Sequence, residues 1–349
     1  MPELHIYHWL GFATLVVVLL ALDLFVFHRH DHTPSLKESA WWTVFWIGLA
    51  LVFNGVIWWW AGHEAGSVYL TGYLIEKALS MDNIFVFVVI FRFFAIPLMY
   101  QYRVLFWGIL GAVVMRLLFI LTGVELIHRF EWVIPLFGLF LLYTAYKLIK
   151  HSGADVHPEN NVVLRTARRI FRITKDDHHV HGHDFFVREN GLLCITPMFL
   201  VLLVIESTDV VFAVDSVPAV IGIVPKHYSP EWIAFIAFTS NVFAILGLRA
   251  LYFLLAGMVD LFRYLHYGLA GVLAFVGLKM VADWAVPMAI KEEWISGTWF
   301  PWFDHTKENA HLVPIWASLS AIALLLIVSM VASVIAARHE ERDQLEDSP

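Results

Sequence analysis

The chain has 349 residues, 60% of them hydrophobic and 15% charged, with 15 Trp, 28 Phe and a mean hydropathy of +0.71, a balance outside the soluble range that marks an integral membrane protein. Its formal net charge of -7 decides little, because topology follows where Lys and Arg sit rather than their sum. A single cysteine, Cys194, excludes an internal disulfide and a paired-cysteine zinc or iron–sulfur site, so thiolate redox chemistry is not expected as the main function.

Hydropathy predicts nine spans, at about 8–27, 41–61, 67–91, 103–124, 131–149, 192–216, 231–255, 264–284 and 312–336. No Lys or Arg precedes the first span, Asp23 interrupts its end, and no small-residue cleavage site follows. It is therefore expected to stay as an anchor rather than act as a signal peptide. Asp23, and Asn54 in the second span, are read as structural or peripheral. Of the 23 Lys and Arg, 15 fall on the cytoplasmic side when the N-terminus is placed outside and the C-terminus inside. Only Arg129, Lys226, Lys291 and Lys307 fall outside, and Lys77, Arg116, Arg249 and Lys279 lie within spans.

The third span holds "LIEKALSMDNIFVF", and a shift of 133 positions places Glu76 on Asp209, Asp82 on Asp215, Pro97 on Pro230, Arg116 on Arg249 and Gly138 on Gly271. The predicted architecture is therefore an all-α polytopic bundle with an inverted three-plus-three repeat, because three spans per unit turn the second copy over. The expected segments are an N-terminal helix pair at 1–65, a first repeat at 66–150, a His-rich cytoplasmic loop at 151–190, a second repeat at 191–284, and at 285–349 an extracytoplasmic loop, a final helix and a cytoplasmic tail. Residues six apart on a continuous helix point about 240° apart, so Glu76 and Asp82 share a face only if the helix unwinds. Pro218 in "AVDSVPAV" supplies a reason for a break in the second copy.

Glu76, Asp82, Glu206, Asp209 and Asp215 are five acids at membrane depth, each costing about 2.5–3.5 kcal/mol on insertion scales. One account is structural pairing, in which Lys77, Arg116, Arg249 and Lys279 neutralise four of the five. The other is a site for a divalent cation such as Mn2+, Ca2+ or Mg2+, with Ser80, Asn83, Ser216 and Asn241 adding neutral oxygens beside the acids. Arg116 and Arg249 keep their protons, so each must meet a carboxylate or an anion. In the central loop, "KDDHHVHGHD" offers His178, His179, His181 and His183 as a second metal-capturing stretch, against the alternative of a solvated acidic linker.

The fingerprints of metalloproteases, serine hydrolases, P-loop and Rossmann proteins are missing, so no enzymatic activity and no cofactor is expected. The basic stretch "RTARRIFRITK" fits an anionic lipid face better than nucleic acid. The stretches "LTGYLIEKALSMDNIFVF", "GILGAVVMRLLFILTG", "FFVRENGLLCITPMFLVLLVIESTDVVFAVDSVPAV" and "SNVFAILGLRALYFLLAG" resemble the TerC family of membrane proteins, most closely its Alx-like branch. That resemblance implies a helical transporter of the LysE-like group in a bacterial inner membrane, linked to manganese export and to tellurium resistance. It assigns the acidic motif positions to Glu76, Asp82, Asn83, Glu206, Asp209 and Asp215. The expected partners are a divalent metal ion as substrate, the lipid bilayer and other membrane proteins, with no nucleic acid. Two further readings stand beside export: a non-transporting scaffold for metallation or assembly of membrane proteins, and handling of tellurium oxyanions.

Overall fold

The computed structural model describes residues 2–25, 35–150, 159, 161–174, 184–189, 191–225, 227–256, 265–291 and 312–346, without the side chains of 24, 25, 291 and 337–346. The protein is an all-α polytopic membrane protein. Its helices are α1 (Ile6–Phe25), α2 (Leu36–Ala61), α3 (His63–Phe93), α4 (Leu98–Arg129), α5 (Val133–Lys150), α6 (Val162–Ile170), α7 (Pro197–Ile221), α8 (Pro230–Leu246), α9 (Leu248–Ala256), α10 (Leu265–Lys291) and α11 (Ile315–Glu346). The strands β1 (Phe186–Glu189) and β2 (Leu192–Ile195) pair antiparallel as a hairpin between α6 and α7.

Local chemistry fixes the starts of the helices around the acids. The Thr196 hydroxyl accepts from the Phe199 amide and Pro197 follows in the first turn of α7; Ser229 caps the Trp232 amide and Pro230 follows in α8. A capping oxygen meets a free amide at each start, and proline sits where its missing N–H costs nothing. Asn161 caps α6 in the same way through the Leu164 amide.

Among the described residues, seven helices, α1, α2, α4, α5, α7, α10 and α11, are long and apolar enough to cross a bilayer, and α8 with α9 make an eighth when taken as one bent span. The 31-residue α3 is long enough, but Glu76, Lys77 and Asp82 in its middle take it out of that apolar set. Two expectations need correction. Hydropathy starts the sixth span at residue 192, yet Leu192–Ile195 form β2 and the helix starts at Pro197. The expected break at Pro218 is absent, since α7 runs through that proline to Ile221. Pro218 lies so near the helix end that little of the ladder depends on it. The sharp change of direction lies instead at Gly247, where α8 and α9 differ by 41°. A Cβ on Gly247 would lie 2.9 Å from Trp46 Cβ and 3.1 Å from Lys77 Nζ, so the bare backbone makes room for both side chains.

The central packing joins α3 to α7 and α8, and α4 to the same two helices. The most extensive helix contact is α5 on α10. It is close because Gly138 and Gly277 face each other: a Cβ on either would lie 2.8 Å or 2.7 Å from the carbonyl oxygen of the other. Small residues at such crossings let backbones approach where lipid gives no hydrophobic drive for association.

Candidate functional site

The middle of this packing holds a network around Arg116 of α4, which is 1% exposed. Its Nη1 donates to Glu76 of α3, to Ser216 Oγ (3.1 Å) and to Asn241 Oδ1 (3.4 Å). On its other edge, Nη2 and Nε donate to the two carboxylate oxygens of Asp209 on α7, at 3.1 Å and 3.4 Å. Asn241 of α8 closes the ring by donating to Glu76 Oε2 at 2.9 Å. One planar guanidinium thus holds a carboxylate from each of the two sequence units, a task for which its forked donors suit arginine over lysine. Charged groups this deep need the pairing, since removing either sign leaves the other desolvated and alone.

Asp82 and Asp215 lie elsewhere. Both line a cavity of about 220 Å³ between α3, α5, α7 and α10, together with Asn83, Thr144, Lys147 and Ser216. Thr144 Oγ1 donates to Asp215 Oδ1 at 3.1 Å, and no hydrogen bond or ion pair involves the Asp82 carboxylate among the described residues. Ser216 touches both regions, because its hydroxyl meets Arg116 while the residue lines the cavity. The unbroken α3 accounts for the separation: at six residues apart, Glu76 turns to Arg116 and Asp82 to the cavity.

The remaining predicted residues scatter. Glu206 is half-buried and its carboxylate lies directly against Gly111 of α4, in space that a Cβ there would fill. The Ser80 hydroxyl is buried without a hydrogen-bond partner among the described residues. Among the proposed ion-pair cations, Arg116 braces Glu76 and Asp209, whereas Arg249 pairs with Asp23 and lies 4.0 Å over the Tyr102 ring. Lys279 reaches Asp283 at 3.9 Å, one turn along its own helix. Lys77 donates to the Ala244 carbonyl at 3.3 Å and pairs with no described carboxylate, which corrects its expected role. His178, His179, His181 and His183 lie outside the described residues. Among the described residues, no three His, Cys, Asp or Glu side chains are grouped so as to hold a metal by themselves. The five acids are therefore not one cluster.

Reading the sequence missed Thr144, Lys147 as a cavity residue, and Gly111. Thr144 and Lys147 stand out only as polar groups near the end of an apolar span, and nothing in sequence ties Gly111 to Glu206. A second cavity, of about 560 Å³, opens at the C-terminal ends of α4 and α7 and is lined by His128, Glu131, Tyr228, Asp283 and Trp284 among others. Asp283 accepts there from the Leu312 amide at 3.0 Å.

Residues 61–341 match the family described as integral membrane protein TerC family. An uncharacterized membrane protein of Myxococcus xanthus is 45% identical over 331 residues, covering 95% of this chain and 93% of its own. A protein of Escherichia coli K12 named "Putative membrane-bound redox modulator Alx" is 42% identical over 293 residues, 81% of this chain and 88% of its own. One of the same name from Photorhabdus laumondii is 40% identical over 336 residues, 93% and 94% of the two chains. No solved structure matches.

Proposed function

Because the chain belongs to the TerC family of integral membrane proteins, we propose that it carries a divalent metal cation, most closely Mn2+, out of the cytoplasm through the cavity between Asp82 and Asp215. The observation that carries this reading is the pair of carboxylates, one from each sequence unit, facing one space with neutral oxygens from Asn83, Thr144 and Ser216 beside them. Two carboxylates, amide and hydroxyl oxygens and retained water suit a hard divalent ion. At about 30 Å³ per water, the cavity has room for such an ion with part of its hydration shell.

The packing supports an inverted three-plus-three repeat as the moving frame. The pairs α3–α8 and α4–α7 are those that a two-fold relation between the units exchanges, and α3–α7, α4–α8 and α5–α10 are those it preserves. Protons are the counter-ion in this scheme, because Asp82 and Asp215 can take them up when metal leaves. The bacterial inner membrane, with the N-terminus outside, is the expected setting. The loop histidines His178, His179, His181 and His183 are a second stretch able to capture metal in this scheme.

A second reading is favoured by the Arg116 network: a scaffold for metallation or assembly of other membrane proteins, whose buried charges only lock the helices. Manganese flux into liposomes holding the purified chain separates the two. Export requires flux that Asp82→Asn and Asp215→Asn each cut by about tenfold or more; absent flux, or flux unchanged in both variants, removes the transport reading and leaves the scaffold.

A further inference from the structure

The short helix α6 and the β1–β2 hairpin are not needed by the cavity, yet they have a composition of their own. Leu164 and Ala167 are the buried residues of α6, which packs against α7, and Asn161 at its cap donates to Ser207 Oγ of α7 at 3.0 Å. The rest of the helix carries Arg165, Arg168 and Arg169, all exposed, beside Val162 at 73% and Ile170 at 68% exposure. Residues 161–174 contain four arginines, with Arg172, and no acid. The hairpin repeats the pattern on one face: Arg188 pairs across from Leu193, and Phe186 lies two residues along, all three exposed.

Two contacts hold this element beside the spanning helices. Asn161 meets α7 at Ser207, ten residues along from Pro197, and Arg103 in the first turns of α4 lies 5.4 Å over the Phe185 ring at the base of the hairpin. Exposed apolar side chains interleaved with cations, held along the first half of α7 and at the hairpin beside the start of α4, match the boundary between acyl chains and phosphates. Arginine suits that boundary because its donors meet phosphate oxygens in pairs while its stem covers apolar surface.

We propose that α6 and the β1–β2 hairpin form a membrane-surface element that takes the headgroups of anionic phospholipids, with Val162, Ile170 and Leu193 dipping among the acyl chains. A nucleic acid or an acidic protein segment would satisfy the arginines and leave these apolar groups in water, so lipid is the occupant that uses both. The inference stands apart from transport and holds whether or not the chain moves metal.

The test uses the full chain with Cys194→Ser and Ile170→Cys, the latter carrying a nitroxide, in vesicles of phosphatidylcholine alone or mixed equally with phosphatidylglycerol. In the mixed vesicles the label should collide with oxygen in preference to a water-soluble nickel complex. That preference should fall about tenfold or more in Arg165→Gln/Arg168→Gln/Arg169→Gln, and likewise in pure phosphatidylcholine, since each cation near an anionic surface adds to the attraction. High salt should produce the same fall in the protein with its arginines intact, an arm that needs no charge variant to fold. A label equally open to nickel in both lipids overturns the proposal. So does one buried to the same degree in both lipids and at high salt, because the contact would then be apolar with no headgroup taken.

Discussion

Glu76 with Asp209, and Asp82 with Asp215, are two pairs of carboxylates drawn from the same two helices, α3 and α7, and their surroundings differ. The first pair is clasped by one guanidinium with an amide and a hydroxyl filling the remaining positions, and Glu76 is sealed from solvent. The second pair borders open space, with Thr144 the one hydrogen-bond donor to Asp215 that is seen and Asp82 without a partner among the described residues. A fully matched buried pair resists change, and a half-matched pair beside a cavity is poised to accept a mobile charge. The same helices thus supply a lock and a candidate binding site, separated by less than two turns.

The comparison breaks first at Arg116. Arg116→Met leaves two buried carboxylates without their cation and should destabilise the folded protein by about 3–5 kcal/mol, read from thermal unfolding in detergent. An unchanged melting temperature would mean that Glu76 and Asp209 are not held as described. Next come Asp82→Asn and Asp215→Asn, which should cut the initial rate of manganese flux by about tenfold or more, about 1.4 kcal/mol, while the melting temperature stays the same or rises. A large loss of stability in these variants would make the open pair a second lock. Thr144→Val should slow flux only a few-fold, in line with the roughly 0.5–1.5 kcal/mol of one hydrogen bond, and a flux assay across metal concentrations would place the loss in apparent affinity. The smallest effect belongs to Glu76→Gln, which keeps the side-chain shape and leaves Arg116 balanced one-to-one by Asp209; unfolding should shift by no more than about 1 kcal/mol.

These two environments were only partly legible in the sequence. That Arg116 must meet a carboxylate or an anion follows from a proton it cannot release, and its guanidinium does lie between Glu76 and Asp209. The 240° between Glu76 and Asp82 also described the outcome, provided the helix is left continuous; invoking an unwinding at Pro218 drew the pairs together where α7 keeps them apart. Arg249 has Asp23 as partner, and Asp23 lies in α1, beyond the reach of any repeat register. The hairpin was absorbed into a span because Leu192–Ile195 are apolar, although Asn190–Gly191 ahead of them is a hairpin-turn dipeptide, and Gly191 does take φ +80°. What places Gly111 opposite Glu206 is the parallel packing of α4 on α7, a tertiary fact with no local trace.

Gly138 and Gly277 put two main chains face to face along α5 and α10. Elsewhere in the bundle, displacement of one helix past another would require interlocked side chains to climb over each other, so the packing there has discrete registers. At this crossing the main chains themselves touch, and Leu141, Leu142, Met280 and Val281 flank the two glycines, so a shift of register meets backbone and side chain together. The crossing thus ties together two of the four helices that wall the carboxylate cavity. Filling it with a methyl group, as in Gly277→Ala, should stall turnover more than it weakens metal binding, and single-turnover against steady-state flux would tell the two apart.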